Sequence, residues 1–225
     1  MKKKLTLLAL LIFIVSCKND PKKAETSQDE SAFEAPMTKE IALANGFNNF
    51  EDVNQINFTF NVKVNDTLRT KRSWKWFPKE NKVELTEKGE TFGYTLDGDL
   101  DEKETQIDQK FVNDKYWLLF PYELIWSEYD FEYNRNSVAP ISEKEMQEIT
   151  VKYADTSGYT PGDSYLIYFN EDDKMIREWT YQSAAGGGLS TTWEDYETFN
   201  GITIAKMHKS GDGSFQLYFT DIVVK

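Results

Sequence analysis

Alternation of apolar and polar residues is the clearest pattern along this chain. Every second residue from Ile56 to Val64 is aliphatic or aromatic, and the residues between them are polar. A period of two places all the apolar side chains on one face of an extended segment. The pattern therefore predicts a β-strand with one face buried and the other in water.

Similar short segments, separated by turn residues, recur through the rest of the chain and predict an antiparallel meander. The further predicted strands are residues 69–77, 83–86, 92–94, 124–133, 147–153, 165–169, 175–181, 192–199, 202–208 and 215–224. About ten or eleven strands exceed what one flat sheet carries in a single domain. We therefore expect a strongly curved, unclosed antiparallel β-barrel.

Two segments have a helical pattern instead. Residues 37–46 predict a short helix, with Thr38 as its N-cap and Asn45-Gly46 as its end. Acidic residues from Asp101 onward, followed by apolar residues at helical spacing, predict a central helix that stops before Pro121. The fold class is thus mainly β (α+β), with a short N-terminal helix and a central helical insertion.

The N-terminus has the features of a bacterial lipoprotein signal. Lysines 2–4 precede the apolar residues 5–15, which are too few to span a bilayer, and Ile14-Val15-Ser16-Cys17 resembles a lipobox. We expect residues 1–16 to be removed, Cys17 to be lipidated, residues 17–36 to form a disordered tether and residues 37–225 to form one domain. In many Gram-negative bacteria an aspartate directly after the cysteine retains a lipoprotein in the inner membrane. Lys18 occupies that position here, which favours the outer membrane. A transmembrane anchor or a secreted protein with an incidental thiol is the alternative.

Charge narrows the classes of partner. The chain carries a formal charge of −12, and loss of the three lysines of the signal leaves −15. Such a surface repels nucleic acid and anionic headgroups, so the expected membrane contact is the lipid anchor alone. We expect a monomer without a cofactor.

The order of elements resembles the superfamily of the lipoprotein-sorting carriers LolA and LolB. The segments that carry the resemblance are residues 46–53, 115–121, 158–165, 193–196 and 200–202. The resemblance implies an unclosed barrel whose helices cover one opening, around an apolar cavity that holds acyl chains or another hydrophobic ligand. As an expected lipoprotein, the chain is more similar to the membrane-anchored acceptor than to the soluble shuttle.

Aromatic residues on the predicted strands are candidates for the lining of such a cavity, since ligand pockets favour aromatic walls with few polar groups. The candidates are Phe58, Phe60, Trp74, Trp76, Tyr165, Ile167, Phe169, Trp179 and Tyr181. Arg177 lies on the same predicted face as Trp179 and could meet a carboxylate or phosphate at the rim. The alternatives are a packed core for the aromatic residues and a solvated strand end for Arg177.

Catalytic and metal chemistry have little support in the sequence. The single histidine, His208, has no Gly-x-Ser-x-Gly motif to accompany it, and we expect it to be exposed. Residues 97–102 begin like a calcium loop but have Glu102 where glycine is required, which favours a turn before a helix. Glycines 186–188 predict a flexible loop between strands. We expect no enzymatic activity and no metal site.

Two functions follow from these features. The first is a lipid-anchored binder or carrier of a hydrophobic ligand. The second is a surface-exposed binding module for glycan or a partner protein. The position of Trp74, Trp76 and Trp179 distinguishes them, because the first requires an enclosed apolar volume and the second requires an open aromatic platform.

Overall fold

The computed structural model describes residues 30–154 and 161–225, with side chains from residue 37 onward. The predicted signal, Cys17 and residues 17–29 of the predicted tether lie outside the described residues, as do residues 158–160 of one resembling segment.

In the described part of the chain, the fold consists of two α-helices, two short 3-10 helices and twelve strands. In chain order they are α1 (Glu30–Ala44), a 3-10 helix (Phe47–Asp52), β1 (Ile56–Val64), β2 (Thr67–Phe77), a 3-10 helix (Pro78–Glu80), β3 (Lys82–Glu87), β4 (Glu90–Thr95), α2 (Glu102–Trp126), β5 (Asp130–Val138), β6 (Glu145–Lys152), β7 (Ser164–Phe169), β8 (Ile176–Gln182), β9 (Gly188–Thr192), β10 (Glu194–Phe199), β11 (Ile202–Lys209) and β12 (Phe215–Val224).

The strands form two antiparallel sheets that do not close into a cylinder. The first sheet has the order β10-β11-β12-β1-β2-β3-β4, and the second has the order β5-β6-β7-β8-β9. Only Trp193 separates β9 from β10, and its amide donates to the carbonyl of Arg177 on β8 at 2.7 Å. The two sheets therefore meet at this corner, while α2 joins the other two edges, β4 and β5. The predicted fold class, an unclosed antiparallel barrel with a central helix, is confirmed.

Helix α2 packs against both sheets and divides the interior between them. The ring of Phe111 lies 5.4 Å from that of Trp74 and 5.6 Å from that of Trp76, both on β2. Further along the helix, the ring of Phe120 lies 5.3 Å from that of Trp179 on β8. The residues buried on the two sides form two separate hydrophobic clusters.

A buried ion pair fixes α2 to the first sheet. The guanidinium of Arg72 donates to both oxygens of Asp114, with Nε 2.7 Å from Oδ2 and an Nη 2.5 Å from Oδ1. The indole N–H of Trp74 donates to the same carboxylate at 2.8 Å. Because the side chain of Asp114 is fully buried, these donors supply the hydrogen bonds that water would otherwise provide.

The start of α2 is as predicted, but its end is not. Asp101 caps the helix and accepts from the amide of Glu104 at 2.8 Å, and the side chain of Glu104 accepts from the amide of Asp101. Leu119 leaves helical geometry, with φ −128° and ψ 32°, and Pro121 then lies near the start of a second helical run that reaches Trp126. Proline lacks an N–H but suits a first helical turn. The predicted stop before Pro121 is therefore wrong, and the proline produces a kink.

Several other boundaries differ from the prediction, and three of these differences change the role or element type of a predicted residue. Helix α1 begins at Glu30, so Thr38 lies inside it and is not the N-cap. Residues 124–126 of the predicted strand 124–133 belong to α2, and the strand begins at Asp130. The predicted strand 192–199 is divided at Trp193, where the chain passes from one sheet to the other.

Candidate ligand cavity

A cavity of about 790 Å³ lies between α2 and the second sheet. Residues of α2 from Gln109 to Glu123 contribute one side, together with Ser127 and Glu128 just after the helix. Strands β7 and β8 contribute an adjoining side, where Tyr165 contacts Tyr116 of α2, and Tyr153 follows β6. The turn that begins at Ser183 and the first residues of β9, Gly188 and Leu189, border the remaining edge. The volume falls within the range of about 300–1,000 Å³ that is typical of small-molecule sites.

Four aromatic side chains form what we call the aromatic wall: Tyr116 on α2, Tyr165 on β7, and Trp179 and Tyr181 on β8. The ring centre of Tyr165 lies 5.1 Å from those of Tyr116 and Trp179 and 5.4 Å from that of Tyr181. These pairs are tilted by 37°, 39° and 41°. The wall arises because β7 and β8 pair with Tyr165 opposite Tyr181, so residues at even spacing share one face.

The end of the cavity near the C-terminus of α2 is polar. The ammonium of Lys115 lies 2.7 Å from Oε1 of Glu123, and the hydroxyl of Ser127 donates to Oε2 of the same carboxylate at 2.7 Å. We call these three residues the polar end. Glu123 is thus held on both oxygens, and its side chain is only 8% exposed.

Two tyrosines stand beside the polar end. The hydroxyl oxygens of Tyr116 and Tyr153 are 2.6 Å apart. Burial raises the pKa of Tyr153 to about 12 and raises the pKa of Tyr116 well above its ordinary value, and the charge of Glu123 acts in the same direction on both. Both phenols are therefore neutral near pH 7 and offer hydrogen-bond donors and acceptors rather than charge.

The glycine-rich segment at the other edge is a tight hairpin turn rather than an open loop. Gly186 and Gly187 have φ of +96° and +87°, which favour glycine. A Cβ on Gly188 would lie 2.4 Å from the backbone carbonyl oxygen of Tyr181. Buried Asp163 accepts from the amide of Ala184 at 3.0 Å and from the hydroxyl of Tyr181 at 2.7 Å, which ties this hairpin to the aromatic wall.

The predicted ligand-binding residues fall into four groups. Tyr165, Trp179 and Tyr181 line the cavity. Ile167 and Phe169 are buried beside it in the second cluster, whereas Phe58, Phe60, Trp74 and Trp76 are buried in the first cluster, on the other side of α2. Arg177 pairs with Asp173 and is not part of the lining.

Sequence reasoning missed the residues that α2 contributes. Tyr116, Trp117 and Lys115 line the cavity, but the prediction assigned the wall to strands alone. The adjacent aromatics Tyr116-Trp117 in a helical segment were a usable signal. Residues that are neighbours on a helix point in directions about 100° apart, so two large rings there predict contacts with more than one partner surface.

His208 is buried, and the prediction that it is exposed is wrong. It lies on β11, with its ring centre 4.4 Å from that of Trp193 and 5.2 Å from that of Trp117. Among the described residues, neither ring nitrogen finds a hydrogen-bond partner of good geometry. Burial lowers the pKa of His208 to about 3, because the charged imidazolium would lose its hydration.

Within residues 30–154 and 161–225, the His, Cys, Asp and Glu side chains do not form a group of three that could hold a metal ion. In the same ranges, neither helix has the length and hydrophobicity needed to cross a membrane. Asp101, in the segment that resembles the start of a calcium loop, serves as the N-cap of α2.

Comparison of the sequence finds no matching family model and no matching curated protein. Comparison of the structure finds similar solved folds at low sequence identity. A DUF1329 family protein from Desulfovibrio piger is 7% identical, with 88% of this chain and 94% of that chain covered and a TM-score of 0.49. A LolA superfamily protein from Nitrosomonas europaea is 12% identical, with 84% of this chain and 93% of that chain covered and a TM-score of 0.47. The lipoprotein LppX from Mycobacterium tuberculosis is 9% identical, with 83% of this chain and 94% of that chain covered and a TM-score of 0.30.

Proposed function

We propose that this protein is a lipid-anchored binder or carrier of a hydrophobic ligand, whose apolar part occupies the cavity between α2 and the second sheet. The observation that carries the proposal is the cavity itself, with a volume of about 790 Å³ and the aromatic wall along one side. Burying an alkyl chain against such a wall contributes about 0.8 kcal/mol per methylene group. The acyl chain of a lipid or of a lipoprotein is the ligand of this kind that the proposal envisages.

The positions of the tryptophans favour this function over an aromatic platform for glycan. Trp74, Trp76 and Trp179 are 1%, 7% and 1% exposed. Rings buried to this degree offer no open stacking surface. Trp179 is instead packed into the inner wall of the cavity.

The proposed anchor is Cys17, in the outer membrane of the bacterial envelope. The sequence supports it through the basic residues, the short apolar run and the lipobox-like segment that precede this cysteine. Two or three acyl chains hold a protein on a membrane stably, whereas one does so only marginally. Metabolic labelling with palmitate tests this point: label should enter the wild-type protein and be absent from Cys17→Ala. Label that persists in the variant would contradict the anchor.

Ligand binding is tested on the folded protein with monohexadecanoylglycerol, an uncharged single-chain lipid. Val112 lines the cavity and Val138 is an exposed residue on β5, so Val112→Trp fills the cavity while Val138→Trp is its matched control. We expect isothermal titration to show binding to the wild type and the control, and at least about a tenfold weaker association with Val112→Trp, which corresponds to about 1.4 kcal/mol. Failure of the wild type to bind, with no lipid in its native mass spectrum, would refute the proposed function.

A further inference from the structure

The cavity lining has an excess of negative charge. Of the described residues that line it, Lys115 is the one basic side chain, and Glu123 already holds its ammonium at 2.7 Å. The same ammonium lies 5.1 Å from the ring centre of Trp126, which is outside the lining. Glu128 adds an exposed carboxylate, so one ammonium and two carboxylates leave the lining with a net charge of −1. A ligand with an anionic headgroup would find no free cation there.

Aromatic rings meet at a corner beside this excess charge. The ring of Tyr153 is turned by 69° from that of Tyr116 and by 83° from that of Tyr165, with ring centres 6.2 Å and 6.1 Å apart. Tyr116 and Tyr165 belong to the aromatic wall, so Tyr153 forms a second wall nearly perpendicular to it. Aromatic faces in such an arrangement attract alkylammonium ions through their negative quadrupoles, and the attraction grows when the site excludes water.

Glu123 lies close to the corner, and because Lys115 neutralises it, the excess negative charge of the lining comes from Glu128. The charge of Glu123 contributes to the raised pKa values of both Tyr116 and Tyr153, in keeping with its position beside their hydroxyls. Arg177, the cation expected at the rim, pairs with Asp173 and lies outside the lining. The corner therefore combines electron-rich rings and carboxylate charge without an unpaired basic group.

We propose that the corner formed by Tyr116, Tyr153 and Tyr165, in a lining whose excess negative charge comes from Glu128, binds the cationic alkylammonium headgroup of an amphiphile. The alkyl tail then lies along the aromatic wall toward Trp179 and Tyr181. From Gln109 to Glu123, α2 borders the cavity over a path of about 20 Å at 1.5 Å per residue, which gives room for a headgroup and a tail. This inference rests on the proposed function and specifies its ligand class.

The test compares amphiphiles that share one alkyl tail and differ in headgroup charge. Hexadecyltrimethylammonium, monohexadecanoylglycerol and hexadecanoate are titrated separately into the folded protein, each below its critical micelle concentration. We expect hexadecyltrimethylammonium to bind at least about tenfold more tightly than hexadecanoate, with the uncharged lipid between them. Palmitoyl lysophosphatidylcholine is titrated as a fourth amphiphile, because it carries the trimethylammonium group on a phosphate. If it binds, the ligand class includes choline phospholipids. If it does not bind while hexadecyltrimethylammonium does, the ligand is an alkylammonium without phosphate.

Matched variants separate the corner from the charge of the whole protein. Glu128→Gln should reduce the preference for the cation over the uncharged lipid several-fold. Glu171→Gln, in the exposed turn between β7 and β8, removes the same charge elsewhere and should leave that preference unchanged. Tyr153→Leu removes the second wall and should weaken the binding of the cationic amphiphile more than the binding of the uncharged one.

The outcomes separate the two proposals. If none of the three amphiphiles binds, the proposed function fails, and this inference fails with it. If hexadecanoate binds as tightly as the cation, or all three bind equally, the inference is overturned while the proposed function stands. If Glu171→Gln lowers the preference as much as Glu128→Gln does, general attraction to an acidic protein explains the result and the corner is not the site.

Discussion

Acidification from about pH 7.5 to about pH 5.0 should destabilise this protein by about 2 kcal/mol through His208 alone. His208 is the single histidine of the chain, fully buried on β11 between aromatic rings. Its ring centre is 4.4 Å from that of Trp193 and 6.0 Å from that of Phe219. Protonation in the folded state would place an unhydrated charge among these rings.

The sign and size follow from the pKa values in the two states. Burial lowers the folded-state pKa of His208 to about 3, from its ordinary value of 6.5. The unfolded state therefore binds a proton more readily, so the contribution of His208 to stability is complete above pH 6.5 and is lost as the pH falls from 6.5 toward 3. Each unit below 6.5 costs about 1.36 kcal/mol, which gives about 2 kcal/mol at about pH 5.0.

The assay compares urea unfolding of the wild type and of His208→Leu at several pH values in this range. The leucine side chain is of similar size, is apolar and does not titrate. Titration of the many carboxylates is common to both proteins and cancels in the difference between their free energies of unfolding. We expect that difference to change by about 2 kcal/mol in favour of the variant on acidification.

Parallel pH profiles for the two proteins would refute the reasoning, because they would mean that His208 is protonated as easily in the folded state as in the unfolded state. A large loss of stability in the variant at all pH values would not matter to this test, since only the change with pH is compared.

Two further predictions concern the packing that forms the interior. Arg72→Met should lower the free energy of unfolding by about 3–5 kcal/mol, because it leaves the charge of Asp114 buried without its partner. The control Lys75→Met removes an exposed pair and should cost less than about 1 kcal/mol; equal losses in urea unfolding would contradict the argument. Gly188→Ala should cost about 1–3 kcal/mol, because its Cβ would lie 2.4 Å from a backbone carbonyl oxygen of β8. In the control Gly93→Ala, the added Cβ lies 3.5 Å from its nearest atom, so its effect on stability should be nearly neutral. Thermal unfolding of both variants shows whether the contact at residue 188 causes the loss.

The strands were predictable because most of them bury one face only. In β3, for example, Val83 and Leu85 are buried, whereas the residues on either side of each are not. The division at Trp193 was not predictable from this pattern, since a single residue between two strands leaves the sequence period almost unchanged. What marks the division in the structure is a tertiary contact, the hydrogen bond from the Trp193 amide to the Arg177 carbonyl.

The candidate cavity was predictable only in part. Alternation on β7 and β8 identified Tyr165, Trp179 and Tyr181, because these strands pair in a register that aligns the three rings. The same pattern also selected Trp74 and Trp76, which face a different part of α2 and are packed against Phe111. An aromatic stripe has the same sequence pattern whether a helix covers it or a ligand can reach it.

Helix α2 contacts both sheets on each side of its kink, because its different faces point in different directions. Before Leu119, the ring of Phe111 packs against Trp76 on β2, while the ring of Tyr116 packs against Tyr165 on β7. After Leu119, Tyr122 is buried in the first cluster and Leu124 in the second. Sequence reasoning ended the helix before Pro121, so it left out the second helical run, which carries Glu123 to the polar end of the cavity.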